Sequence, residues 1–187
     1  MKNKIMPTLV LTAICLVVAF ALALINEVTA PIIADAQNRA TKAALTEVLP
    51  EGKNFEEITI DAKYPTAITK GYSADGGYVF QATVTGKSSG LVIMIGINID
   101  GKIVNSKVIA DQETDDYDVK VFPVVSGADG SYKGMDLEGF EPVLISGATL
   151  TSKAYSKAIQ AALQAFVIAD NDSVNRNITN SEEGGEQ

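Results

Sequence analysis

Apolar and polar positions divide the chain into stretches of different character. From Met6 to Ile25 twenty consecutive residues carry no charge. At about 1.5 Å per helical residue they would reach roughly 30 Å, the thickness of a bilayer's hydrocarbon core. The pattern predicts a single N-terminal transmembrane helix. Lys2 and Lys4 precede it and Glu27 follows it, so the charge bias puts the N-terminus in the cytoplasm and the remainder outside. A cleaved signal peptide is the competing expectation, with Val28 and Ala30 as the small residues before the cut. The apolar stretch is longer than the roughly 7–15 residues of a signal core, and Pro31 would follow the scissile bond, so retention is favoured. Cys15 lies mid-segment behind bulky Ile14, which argues against a lipoprotein site and leaves it as filler.

Further along, Ala36, Ala40, Ala43, Ala44, Leu45 and Val48 recur at helical spacing. They predict a stalk helix over Ile32 to Leu49, closed by Pro50, with Pro31 kinking its join to the membrane helix. Glu51 to Lys70 is mixed and reads as loop with one short strand. Tyr78 to Thr85 alternates as a strand. Gly90 to Asp100 is nearly all apolar, as in a central strand buried on both faces. Asp100-Gly101 signals a hairpin turn, and Ile103 to Ala110 is the returning strand. Asp111 to Phe140 is polar, with a turn at Ala128-Asp129-Gly130, and Val143 to Ile145 reads as a short strand.

A second helix is expected from Lys153 to Ile168. Ala154, Ala158, Ala161, Ala162 and Ala165 line one side and Tyr155, Ile159 and Phe166 an adjacent one, a wide apolar face suited to a sheet. Asp170 to Gln187 is polar and acidic and reads as a disordered tail. The expected fold is α+β: a membrane anchor over residues 1–30, a stalk over 31–50, a domain over 51–169 with an antiparallel sheet packed by helices, and the tail over 170–187. Asn171 and Asn177 match the glycosylation sequon by pattern only.

Composition narrows the chemistry. The net charge of −8 makes nucleic acid an unsuitable partner. Histidine is absent, which removes His-based triads, His metal ligands and the commonest general base. One cysteine permits neither an internal disulfide nor a four-cysteine metal or iron–sulfur site. Redox chemistry would need a cofactor held another way. The acidic residues Asp111, Glu113, Asp115, Asp116 and Asp118 would suit calcium as hard ligands, but they lack the glycine and terminal glutamate of an EF-hand loop. A solvated acidic loop is the preferred reading, with no metal site.

The run Ser146-Gly147-Ala148-Thr149-Leu150-Thr151-Ser152 stands immediately ahead of the second helix. It places hydroxyls and small residues where a helix start leaves its amides unpaired, a situation that suits a phosphate. Gly147 and Ala148 leave room for a bulky group, and Lys153 adds positive charge. Local physics alone favours a plainer account, with Thr151 or Ser152 as an N-cap and Gly147 as a turn residue. No capping box supports that account, because Ala154 and Tyr155 fill the positions where Glu or Gln would stand.

The run resembles the flavinylation motif of the FMN-binding domain found in the G subunit of the Rnf electron-transport complex and in its sodium-pumping quinone reductase relative. The resemblance extends over roughly Lys2 to Ala169. It includes Val48-Leu49-Pro50 at the stalk's end, the apolar strand Ser89 to Gly101 with its Asp-Gly turn, the pair Glu113-Thr114, and the SGAT stretch ahead of a helix. It implies FMN held covalently through a phosphoester on Thr149, with Thr151 as the local rival. Ser146, Gly147, Ala148 and Leu150 would surround the attachment point, and Gly90, Glu113 and Thr114 would belong to the same cofactor site. The chain departs from the family after Glu113-Thr114, where Pro-Gly is usual and Asp115-Asp116-Tyr117-Asp118 stands instead.

The resemblance further implies an extracytoplasmic electron carrier on the cell membrane, a non-autonomous redox subunit of an ion-translocating oxidoreductase working between ferredoxin and NAD. Its partners would be the complex's other subunits, the lipid bilayer, and a flavin transferase for maturation. No dinucleotide fingerprint such as GxGxxG is present for direct NAD chemistry. Two alternatives remain at this point: a stand-alone flavinylated protein serving another reductase, and a non-redox membrane-anchored binding module.

Overall fold

The computed structural model describes residues 2–87, 90–110, 121–127 and 129–183. The chain divides into two compact units, Met1–Lys42 and Ala43–Gln187. The first is helical throughout its described residues, because α1 spans Lys2–Val48. Its backbone stays helical at Pro7 and Pro31, so the apolar segment and the expected stalk are one helix rather than two. Large apolar side chains between Val10 and Leu24 are exposed, Leu16, Val17 and Phe20 by 66–69%. Counted over the described residues alone, no helix is long and apolar enough to cross a membrane. The spanning segment expected over residues 6–25 is therefore not established by the structure.

The second unit is built on a five-stranded antiparallel meander, in the order β1-β2-β3-β4-β5. The strands are β1 (Glu56–Ile58), β2 (Ile68–Ala74), β3 (Gly77–Val84), β4 (Leu91–Asn98) and β5 (Ile103–Ala110). Strand β4 pairs along its length with β3, Tyr78 opposite Ile97 and Ala82 opposite Ile93. The β4–β5 turn is locked by Asn98, whose Oδ1 accepts the Asp100 and Lys102 amides at 3.1 and 2.9 Å. Gly101 supplies the positive φ of 79° that this turn requires.

Burial on both faces follows from strand periodicity. Leu91, Ile93, Ile95 and Ile97 point into the larger core, with Phe80, Ala82 and the apolar face of helix α2 (Thr149–Glu183). Met94 points the other way, toward Tyr72, Val79 and the last turn of α1, where Ala44, Leu45, Val48 and Leu49 are buried. Asn105 Nδ2 donates to the Glu47 carbonyl at 3.0 Å, and Lys107 Nζ pairs with the Glu47 carboxylate. A helix end whose carbonyl would otherwise lack a partner is thus capped by the sheet.

The first half of the outer edge of β5 is covered by Gly127 and by Gly134 and Met135. Gly127 and Gly134 amides donate to the Ser106 and Ile103 carbonyls at 2.7 and 2.8 Å, and the Ile103 amide donates to Met135 at 2.9 Å. Closing an edge this way satisfies its ladder groups and blocks further strand addition.

Three expectations change. Residues Val143–Ile145 form no strand, for a reason given below. Helix α2 begins at Thr149, not Lys153. It also continues to Glu183 through the stretch read as a disordered tail, because no glycine or proline interrupts it before Gly184. Lys63 meets Asp172 on this extension. The acidic loop and Ala128 of the predicted turn lie outside the described residues.

Candidate functional site

The loop from Glu141 to Ala148 carries the hydroxyl-rich run and ends at α2. Gly147 has φ +81°, and a side chain built there would meet no atom within 4 Å. The chain thus turns sharply into the helix while its backbone remains open to an incoming group. The Ala148 carbonyl accepts the first intrahelical bond, from the Ser152 amide at 3.0 Å. Ala148 is therefore the N-cap, three or four residues before the positions expected from the sequence. An alanine cap offers no oxygen to the second and third helical amides, and that place suits an external anion.

The two candidate threonines separate cleanly. Thr149, the first helical residue, is exposed, whereas Thr151 is 0% exposed. Ser146, Gly147 and Leu150 are exposed beside Thr149, and Ala148 is buried. Lys153 is exposed four residues after Thr149, on the same side of the helix. Gly90, half-buried with φ +94°, opens β4. Glu113 and Thr114 lie outside the described residues, so the structure does not bring them to this loop. Two cavities of about 350 and 430 Å³ lie elsewhere, lined by residues of β1 and β2 and by Tyr64, Tyr78 and Asp172.

Sequence reading missed what holds the loop. The Val143 amide donates to the Tyr132 hydroxyl at 2.9 Å, and the Ile145 amide donates to Ser152 Oγ at 3.2 Å. Side chains, not a neighbouring strand, take these amides, which is why the apolar triplet is not a strand. Tyr132 and Ser156 hydroxyls lie 2.6 Å apart. The Tyr132 ring stacks between Phe140 and Tyr155, with centroids 6.0 and 6.1 Å away. Tyr155 in turn meets Ser106 Oγ at 2.8 Å. Burial pushes the Tyr155 hydroxyl up to about 12, against the opposing effect of its bonds with Ser106 and Ser126. It is neutral at ordinary pH and serves as structure.

This arrangement has an exposed alcohol, an open backbone and the positive end of a long helix dipole, which favours a bound anion by about 0.3–1 kcal/mol when exposed. Among the described residues it contains no acid–base pair. The donor set fits a phosphate ester, and residues 86–164 match the model of the FMN-binding domain family. Over most of its length the chain is similar to two curated proteins. It is 26% identical to the G subunit of the ion-translocating oxidoreductase complex of Pseudomonas aeruginosa, covering 88% of this chain and 89% of that one. It is 29% identical to the G subunit of the Na(+)-translocating ferredoxin:NAD(+) oxidoreductase complex of Acetobacterium woodii, covering 84% and 89%. The resemblance to the Rnf complex's G subunit therefore holds across the chain, and these likenesses support an FMN electron-transfer subunit.

Proposed function

We propose that this protein is a membrane-anchored electron carrier whose FMN is esterified through its phosphate to Thr149. The exposure of Thr149 beside fully buried Thr151 carries the assignment. Thr149 Oγ, the amides of the first turn of α2 and Lys153 would hold the phosphate. Open space at Gly147 admits the attached group to the backbone. When bound, FMN supplies the redox chemistry, and the polypeptide only positions it. The lack of histidine agrees with that division of labour. A covalent link also prevents loss of the cofactor to an exterior where free flavin is scarce.

The uncharged run Met6 to Ile25 and its exposed apolar side chains support an anchor in lipid, with Lys2 and Lys4 on the cytoplasmic side and the FMN-binding domain outside. The partners of this reading are the other subunits of an ion-translocating complex that passes electrons between ferredoxin and NAD. Coexpression with a flavin transferase should give a band that fluoresces in a denaturing gel, and Thr149→Val should abolish it. A Thr149→Val protein that stays fluorescent would move the attachment elsewhere. A colourless wild type of unmodified mass, despite an active transferase, would leave only a non-redox binding module.

A further inference from the structure

We propose that Tyr132, Ser152 and Ser156 are positioning residues for flavin attachment, a hydroxyl clamp that sets the loop so that Thr149 is offered to the transferase. The inference rests on the assignment of FMN to Thr149 and adds the side chains that make this alcohol reactive in place. Ester formation with FMN itself would have to expel water, so the donor must carry a phosphoanhydride, as a flavin dinucleotide does. Thr149 Oγ forms a bond to the flavin-side phosphorus, the pyrophosphate P–O bond breaks, and adenosine monophosphate leaves. The hydroxyl proton passes to a base on the transferase. No electron changes hands. In-line attack needs the alcohol and its approach held in one orientation, and a loop wandering beside the helix start forfeits much of that advantage.

The clamp has a definite direction of donation. The Ile145 amide donates to Ser152 Oγ, which donates onward to the Ala148 carbonyl at 3.0 Å. The Val143 amide donates to the Tyr132 oxygen, and Ser156 Oγ donates to the Ser152 carbonyl at 2.9 Å. The Tyr132 proton then goes to Ser156 Oγ, 2.6 Å away. Ser152 and Ser156 lie one turn apart on α2, and Tyr132 and Ser152 are 0% exposed. Two alternate amides of the loop are thereby tied to the same helix that begins with Thr149. The connection explains how the irregular segment leading into α2 is held in one place beside the alcohol on the helix's first residue. It also explains why the chain carries hydroxyls at buried positions of an otherwise apolar helix face, where an unpaired hydroxyl would be costly.

A structural role alone makes a different prediction, and Tyr155 provides the contrast. Its hydroxyl is buried in the same aromatic stack and bonded to Ser106, but it touches no loop amide. The experiment uses the full-length chain in detergent with purified transferase and flavin dinucleotide, and follows attachment by intact mass. Amide hydrogen exchange is measured on the unflavinylated chain in parallel. Losing one such bond should cost Tyr132→Phe and Ser152→Ala about tenfold in attachment rate. Exchange should quicken at Val143 in the first variant and at Ile145 in the second. Tyr155→Phe should attach flavin at the wild-type rate despite its comparable loss of stability. Equal attachment by Tyr132→Phe and wild type overturns the clamp, as does a loss shared equally by Tyr155→Phe. Should Ser152→Ala fail to fold, Tyr132→Phe, smaller by one oxygen, carries the test alone. A wild type that takes up no flavin overturns the assignment of Thr149 itself, and the clamp with it. Failure confined to the variants overturns the clamp alone.

Discussion

Gly96 lies at the centre of β4 where the last turn of α1 rests on the sheet. A Cβ placed there would stand 2.1 Å from the Val48 carbonyl oxygen and 2.6 Å from its carbon. Both are backbone atoms, so relief requires moving the helix end by about 1 Å rather than turning a side chain. Overpacking of this kind costs about 1–3 kcal/mol. The same movement stretches the 3.0 Å bond from Asn105 Nδ2 to the Glu47 carbonyl, which adds about 1 kcal/mol. Gly96→Ala should therefore lose about 2–4 kcal/mol. Urea unfolding of the detergent-solubilised chain, followed by tyrosine fluorescence and far-ultraviolet dichroism, measures it. Gly147→Ala is the comparison, since Gly147 has positive φ but empty space around it. Backbone strain alone predicts about 1 kcal/mol there. If Gly96→Ala proves no more costly than Gly147→Ala, the close docking of α1 on β4 is wrong.

Other outcomes are equally definite. Thr151→Val should keep its flavin, because the Thr151 side chain is fully buried; loss of gel fluorescence in that variant alone would refute the choice of Thr149. Tyr155 has its acidity lowered by burial, to about 12 from the usual 10. The folded state holds that proton more tightly, so this stabilisation is complete below pH 10 and is lost as pH rises through 12, about 3 kcal/mol in all. Tyr155→Phe should flatten that part of the stability–pH curve, and an unchanged slope would refute it. Lys63→Ala removes one partner of Asp172; amide exchange should quicken over residues 170–173 while the core is unaffected, and uniform protection there would count against the contact.

Part of this structure could be read from residues alone. The long apolar run of β4 announced a strand covered on both sides, and the alanine pattern of α2 marked the face that packs on the sheet. Strand β2 gave no such signal, because Ile68-Thr69-Lys70-Gly71-Tyr72 mixes lysine and glycine with apolar residues, and its place depends on pairing with β1 and β3. The start of α2 was misplaced because Ala148 carries none of the side-chain chemistry by which N-caps are recognised. The strand expected at Val143–Ile145 failed because spacing cannot show that Tyr132 and Ser152 take its amides. Gly96 was a usable clue that went unused: a glycine inside an apolar strand signals the close approach of another backbone. The hydroxyl run itself was legible, and the family resemblance singled out Thr149; that the helix buries Thr151 and leaves Thr149 exposed was not.

The docking of α1 has a consequence for biogenesis. Leu45, Val48 and Leu49 leave the ribosome before any strand they rest against, and Asn105 and Lys107, which fasten the helix end, follow some sixty residues later. At about 5–20 residues per second these greasy positions stay uncovered for up to about ten seconds. Until then this apolar helix face is open to other contacts, and a translational pause before β5 would lengthen the exposure.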